Sequence, residues 1–446
     1  MVLIFVINEI LLLTAIISKD GEFIDDPDKI DDIAKELDTD VMPCLWKGKI
    51  SEEQKEVLMQ AISSDLIPTK DEFVKWVKEL FGTYDKFRLE FWGGEPLVYL
   101  KTLKPLAEKV KKVYPNAQFM MVTNGSLLTR DKVDWLNKMG FSIGMSHDGP
   151  LHAQNRGPDP LDEAPAKDAI VYALKTMGGM RFTFNCVLTR ENVSIAAVRD
   201  FILKKLNKTF TGYENPGVDQ REIQVTTEEL MLPYDDSGMA HSLQTTDEKK
   251  EILHTLFEET IDNKNQFSWT VYQKVKSFYE SIVYGRPAEA LGQKCGMDKE
   301  DNIAIDMKGN VTTCQNTSSL TKHNIGNIED FDNISLTNSY HWSTRKECPS
   351  CPVVQLCQGA CLFLENQHWE QACENLFWYN LAMFSAGLFQ MTDGLVLTEI
   401  RGERIRFDGV TSIPVIDIEY MKTGKKSWKV RKPLNIPVVQ VPSEPK

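Results

Sequence analysis

Seven of the nine cysteines in this 446-residue chain fall between Cys295 and Cys373. Thirteen residues separate Cys295 from Gly309 and four more precede Cys314; then "CPSCPVVQLCQGAC" sets out Cys348, Cys351, Cys357 and Cys361, and Cys373 follows. Thiolate sulfur is the soft ligand selected by zinc and by iron-sulfur clusters, and seven thiols exceed what one tetrahedral site needs. Two metal sites are implied, and spacing alone leaves structural zinc and iron-sulfur clusters both open. Disulfide scaffolds are short and lack a large core, so cysteines clustered in a long chain point to metal ligands in a reducing, cytoplasmic compartment.

A second group of polar residues sits where strands should end. "EFWGGEPL" places Gly93 and Gly94, which let backbone approach a ligand, beside Glu95 and the stiffening Pro96. "VTNGSLLT" supplies Thr123, Asn124 and Gly125, and "MSHDGP" supplies Ser146, His147 and Asp148, with Arg156 shortly after. Neighbouring strands of a parallel sheet present such ends side by side, so these residues form one ligand-binding rim. His147 taken alone reads as a packed, hydrogen-bonded histidine, and no catalytic residue is assigned.

The elements that must carry these groups follow from periodicity. "KFRLEFW", "AQFMMVTN", "FSIGMSHD", "RFTFNCVL" and "REIQVTT" read as strands separated by amphipathic helical stretches, and the apolar "VLIFVIN" adds a first strand, making six. Thr69 as N-cap, Glu72 and a stop at Gly82 predict a helix before the second strand. Strands alternating with helices mean a parallel sheet with ligands at the strands' carboxyl ends. The early apolar stretch contains Asn8 and Glu9 and has no Lys or Arg before Lys19. It therefore reads as a buried strand rather than a signal or a membrane span of about 20 apolar residues. A net charge of -13 argues against nucleic acid and anionic membranes as partners.

With these residues in view, the sequence resembles the radical S-adenosylmethionine (radical SAM) enzymes that carry a C-terminal SPASM domain, a group that includes peptide-modifying and sulfatase-maturating enzymes. All seven clustered cysteines meet the SPASM pattern, GX4C followed by CX2CX5CX3C with a cysteine on either side. "WGGEPL" resembles the motif that contacts the methionine amine of S-adenosylmethionine, and "TNG" and "SHDGP" with Asn155 and Arg156 resemble the strand ends near its carboxylate and ribose. The resemblance implies an α/β fold, a partial (β/α)6 barrel over 1-285 with an insertion at about 21-68. A small cysteine-rich iron-sulfur (SPASM-like) domain over 286-394 and an extension over 395-446 would follow. It also implies one auxiliary [4Fe-4S] cluster on Cys348, Cys351, Cys357 and Cys373, and another on Cys295, Cys314 and Cys361 with a fourth ligand near Glu289. S-adenosylmethionine, a peptide or protein substrate and an external electron donor such as a flavodoxin or ferredoxin complete the implied partners.

The family's radical-generating cluster is held by CX3CX2C after the first strand, where this chain has Leu11, Ala15 and Ser18. A second alignment places Cys44 as the third cysteine, with Leu37 and Val41 in place of the first two. Neither Leu nor Ala ligates iron. Three readings follow: a radical SAM enzyme with an altered core cluster site, a non-catalytic relative that binds a peptide or passes electrons through its clusters, and a zinc-stapled interaction protein. Asp148 and Asp306 are conceivable proton donors, and Cys186, within a strand, reads as a buried structural residue.

Overall fold

Every second residue of "FTFNCVL" is apolar, and in the computed structural model this segment is a strand whose burial alternates residue by residue. The structure describes residues 88-437 apart from 93-94, 114, 209-216, 266-267, 287-290, 296-303, 306-309, 318, 328-329, 331-332, 337-339, 403-405, 407-408 and 420-433. The expected first strand, the helix from Thr69, both core cluster alignments (Leu11, Ala15, Ser18; Leu37, Val41, Cys44), Gly93, Gly94, Glu289, Asp306 and Gly309 lie outside the described residues. Two compact units divide the chain: Met1–Arg88 with Lys111–Gln118, and Leu89–Val110 with Phe119–Lys446. Apart from Arg88 and Lys111–Gln118, the residues described below belong to the second.

Strands β1 (Arg88–Phe91), β2 (Gln118–Thr123), β3 (Phe141–Ser146), β4 (Phe182–Leu188) and β5 (Val225–Leu230) form one sheet in that order. The pairings β2–β3, β3–β4 and β4–β5 are parallel. Helices α1 (Leu100–Val113), α2 (Arg130–Met139), α3 (His152–Arg156), α4 (Ala164–Met177) and α5 (Ile195–Asn207) lie in the connections. The order never reverses, so every crossover steps one strand further in the same direction. That is how a barrel is wound, whereas a doubly wound sheet reverses at a switch point. The described strands fit a partial (β/α) barrel, and five of the six expected strands occupy their expected segments.

The two faces of this sheet differ. One carries Phe119, Met121, Phe141, Ile143, Phe182, Phe184, Cys186 and Leu188, all buried, with Phe119 and Phe141 stacked at 5.1 Å. The other carries half-buried Ser142, Ser146, Thr183, Asn185 and Thr226. Gly144 belongs to this polar face, where an added Cβ would meet Asn185 Nδ2 at 2.4 Å, so the register of β3 against β4 needs glycine there.

Beyond β5 come α6 (Asp236–Ala240), α7 (Thr246–Ile261) and α8 (Trp269–Val283), and the parallel rhythm ends. A small antiparallel sheet of β6 (Ala304–Ile305), β7 (Asn310–Thr312) and β8 (Asn324–Asn327) follows Cys295 and delivers Cys314 just past β7. Short helix α9 (Val354–Cys357) ends on a cysteine, and α10 (Asn366–Met391) carries Cys373. Helix α10 packs through Phe384 and Phe389 against Phe278 of α8 and Phe257 of α7. Its buried Asn375 accepts from the Leu243 N–H and donates to the Met231 carbonyl and the Ser242 hydroxyl, which ties the helix to the chain leaving β5. The tail forms a third sheet, with β9 (Leu397–Arg401) between β10 (Ser412–Pro414) and β11 (Leu434–Pro437). No described helix is long and apolar enough to cross a membrane.

Candidate cofactor rim and cysteine pocket

The rim is built first by register. Thr123 pairs with Met145, and Ser146 pairs with Asn185, so the carboxyl ends of β2, β3 and β4 stand in a row. Glu95, which leads out of β1, binds across to the next strand: its Oε1 accepts from the Thr123 hydroxyl at 2.7 Å and its Oε2 from the Asn124 N–H at 2.8 Å. The same carboxylate caps the following turn through the Leu97 N–H. Glu95 thus acts here as the tie between two strand ends. Replacing Glu95 with Ala removes acceptors charged enough to be worth about 2 kcal/mol together, and a lowered unfolding midpoint, with Gln recovering part of it, is the expected result.

At β3 the sequence motif divides into a supporting and a presenting part. Asp148 is buried and accepts both Nε (2.7 Å) and Nη2 (3.2 Å) of Arg156, and it also accepts the Val187 N–H of β4. A bidentate carboxylate of this kind fixes a guanidinium plane while a third of the arginine side chain stays open to solvent. Ser146 remains half-buried on the polar face. His147 is fully buried: its Nδ1 accepts the Gly149 N–H, so its Nε2 is the protonated nitrogen that donates to Asp159. Lys205 is the second partner of Asp159, whose carboxyl is held well below the usual range by the His147 hydrogen bond against the cost of burial. Burial beside His147 pushes the imidazole of His152 down to about 4. These two histidines belong to the scaffold under the rim.

Thr183, Asn185 and Thr226 were not singled out from the sequence, yet they continue the rim inward. Asn185 Oδ1 accepts from the Thr226 hydroxyl at 2.5 Å and from that of Thr183 at 3.3 Å. For the first two the signal was present in the alternation of "FTFNCVL", where Thr183 and Asn185 stand out of phase with the apolar series.

The cysteines divide into two sets. Cys348, Cys351, Cys357 and Cys373 line one pocket together with Glu347, Val354, Gly359, Ala360, Trp369, Phe377 and Arg406. Burial pushes the thiols of Cys348 and Cys351 up to about 12 and raises Cys357 and Cys373 as well, and the charge of neighbouring cysteines would raise Cys348, Cys351 and Cys373 further. Four thiolates cannot share such a pocket without a cationic centre to take their charge. Cys361 is outside this pocket. It lies with Cys295 close enough to Cys314 for their charge to raise that thiol, which burial brings to about 11.

The loop between Cys357 and Cys361 separates the sets. Gln358, Gly359 and Ala360 have φ of 52°, 77° and 59°, three left-handed residues in succession, two of them bearing side chains. Such strain persists only where the surroundings hold it, and Gly359 has no alternative because a Cβ would meet that of Trp342 at 2.3 Å. A backbone N–H also donates to thiol sulfur, Asn316 to Cys314 at 3.4 Å, and that bond favours the thiolate. Among the described residues no group of three or more His, Cys, Asp or Glu converges as the ligands of a single metal ion do. What the four cysteines share is a pocket.

Comparison with curated proteins then bears on the whole arrangement. Over 335 residues, 72% of this chain, it is 22% identical to the radical SAM cyclopropyl synthase TigE of Paramaledivibacter caminithermalis. Over 308 residues it is 25% identical to the cysteine-type anaerobic sulfatase-maturating enzyme of Clostridium perfringens. The matched segment spans 64% of the cyclopropyl synthase and 76% of the sulfatase-maturating enzyme. No family model matches the chain. Among solved structures, anSMEcpe with bound AdoMet aligns over 73% of this chain and 89% of its own, with 18% identity and a TM-score of 0.49.

Proposed function

We propose that this chain is a radical SAM and SPASM-type iron-sulfur protein, from a lineage that modifies peptides or proteins by hydrogen abstraction with a 5'-deoxyadenosyl radical. The observation that carries the reading is the shared pocket of Cys348, Cys351, Cys357 and Cys373. Those residues would hold one auxiliary [4Fe-4S] cluster, and Cys295, Cys314 and Cys361 the other. When bound, such clusters supply one-electron chemistry. The chain's own part is to desolvate the thiols, to support the Cys314 thiolate through the Asn316 N–H, and to turn Cys357 and Cys361 to different sites.

S-adenosylmethionine would lie along the rim of Gly93, Gly94, Glu95, Pro96, Thr123, Asn124, Ser146 and Arg156. Glu95 and Asp148 orient that rim: one joins β1's exit to β2, the other fixes the Arg156 plane. Half-buried Asn185 and Thr226 extend a polar floor toward which a peptide substrate would be directed. An external one-electron donor of the flavodoxin or ferredoxin class would serve the clusters.

A second reading, a non-catalytic relative that keeps its auxiliary clusters, is favoured by Leu11, Ala15 and Ser18 at the family's core cluster positions. Both readings are tested by iron and acid-labile sulfide after anaerobic reconstitution, with electron paramagnetic resonance (EPR) spectra recorded with and without S-adenosylmethionine. About eight irons per chain, two clusters' worth, and spectra indifferent to S-adenosylmethionine support the second reading. About twelve irons and a perturbed signal support the first. A colourless protein binding zinc sinks both.

A further inference from the structure

The pocket of four cysteines contains one charge that no cysteine motif predicts. Arg406 comes from the C-terminal extension, lies 33 residues after Cys373, and is 6% exposed. It lines the pocket, with its guanidinium carbon 4.3 Å from the ring centroid of Phe377, another lining residue. Its Nη2 donates to Glu374, the residue next to Cys373. Glu374 is itself shared, with Lys249 at 2.6 Å and Trp378 Nε1 at 2.8 Å, so its single negative charge is divided between Arg406 and Lys249. The other charged lining residue, Glu347, has Lys346 at 3.8 Å. Arg406 also lowers the cost of charging Cys351 and Cys373, which places its charge within effective range of both sulfurs. Outside the pocket lining, buried Glu229 is paired with both Lys274 and Lys294, and the charges of all three act on Cys357.

We propose that Arg406, held by Glu374, sets the reduction potential of the iron-sulfur cluster in the Cys348, Cys351, Cys357 and Cys373 pocket, raising it by stabilising the reduced state. The inference rests on the cluster reading above. Reduction adds one electron, delivered by an external donor, and no proton or bond change is required. The added negative charge remains inside a low-dielectric pocket, where a buried cation favours it more strongly than the oxidised state. Solvent-exposed charges at similar distances act far less because water screens them.

The test is a potentiometric titration of the reconstituted full chain with dithionite, followed by EPR, with iron content measured on each variant. Arg406→Gln should shift the one-electron equilibrium roughly tenfold toward the oxidised cluster, about 59 mV lower. Arg406→Lys should stay near the unmodified protein, and the cluster at Cys295, Cys314 and Cys361 should not move in either. An Arg406→Gln protein with full iron and an unmoved potential overturns the inference and leaves the cluster reading intact. Unmodified protein without iron overturns both. If Arg406→Gln loses its iron, Glu374→Gln decides: with the counter-charge removed and Arg406 in place, the potential must rise, and a potential that stays or falls overturns the inference.

Discussion

Cys351→Ala should lose about four irons, one cluster's worth, and destabilise the cysteine-rich region by several times the effect of Cys186→Ala. The two thiols are similar as isolated groups, since burial pushes both up to about 12. Their surroundings differ. Cys186 is buried inside β4 opposite Thr227 of β5, and trading it for Ala removes chiefly the packing of one small side chain, about 1 kcal/mol. Cys351 faces three other cysteines across a pocket whose walls come from α9, α10 and the tail. A metal centre held there joins the single-turn α9 and the tail to α10, and the free energy of binding metal becomes free energy of folding. Iron analysis and the unfolding midpoint, measured for both variants, decide the matter: equal iron in Cys351→Ala and the unmodified protein would sink the ligand assignment, whatever happens to the midpoint.

The contrast between those two cysteines also shows what a sequence can and cannot disclose. Strands β2 to β4 were legible because apolar residues recur at every second position, and helix α5 because its apolar residues recur at helical spacing. The cysteine set was legible because thiols at fixed spacings have few other uses. Glu95 was legible as a rim residue, but its bond to Thr123 spans 28 positions and leaves no local trace. The same holds for Glu229, a carboxylate buried in β5 with a φ of 79° and balanced by Lys274 from α8 and Lys294 beside Cys295. Nothing in "VTTEEL" separates it from the exposed Glu228 next to it. Arg406 is further still from any motif, in a tail whose sequence reads only as a few strands. Local periodicity and ligand chemistry are written in neighbouring residues, whereas charge compensation is written in pairs that only the fold brings together.

The other large effect expected is a gain. Changing Leu11→Cys, Ala15→Cys and Ser18→Cys together should raise iron by about four per chain and allow reductive cleavage of S-adenosylmethionine to methionine and 5'-deoxyadenosine, measured by chromatography after dithionite reduction. The argument is one of ligand chemistry. Three cysteines at CX3CX2C spacing would hold a further [4Fe-4S] cluster, and such a cluster when bound would supply the one-electron chemistry that reductive cleavage of the sulfonium carbon-sulfur bond needs. Leu and Ala offer no donor, and one serine hydroxyl is a weak ligand for iron, so the unmodified chain should cleave none through this segment. A parallel variant, Leu37→Cys with Val41→Cys, uses the native Cys44 as its third thiol and tests the other alignment. If the first variant gains iron and activity and the second does not, the segment after "VLIFVIN" is the core cluster position. If neither gains iron, the intact rim of Glu95, Thr123 and Asp148 serves something other than radical generation, and the auxiliary clusters alone carry the protein's chemistry.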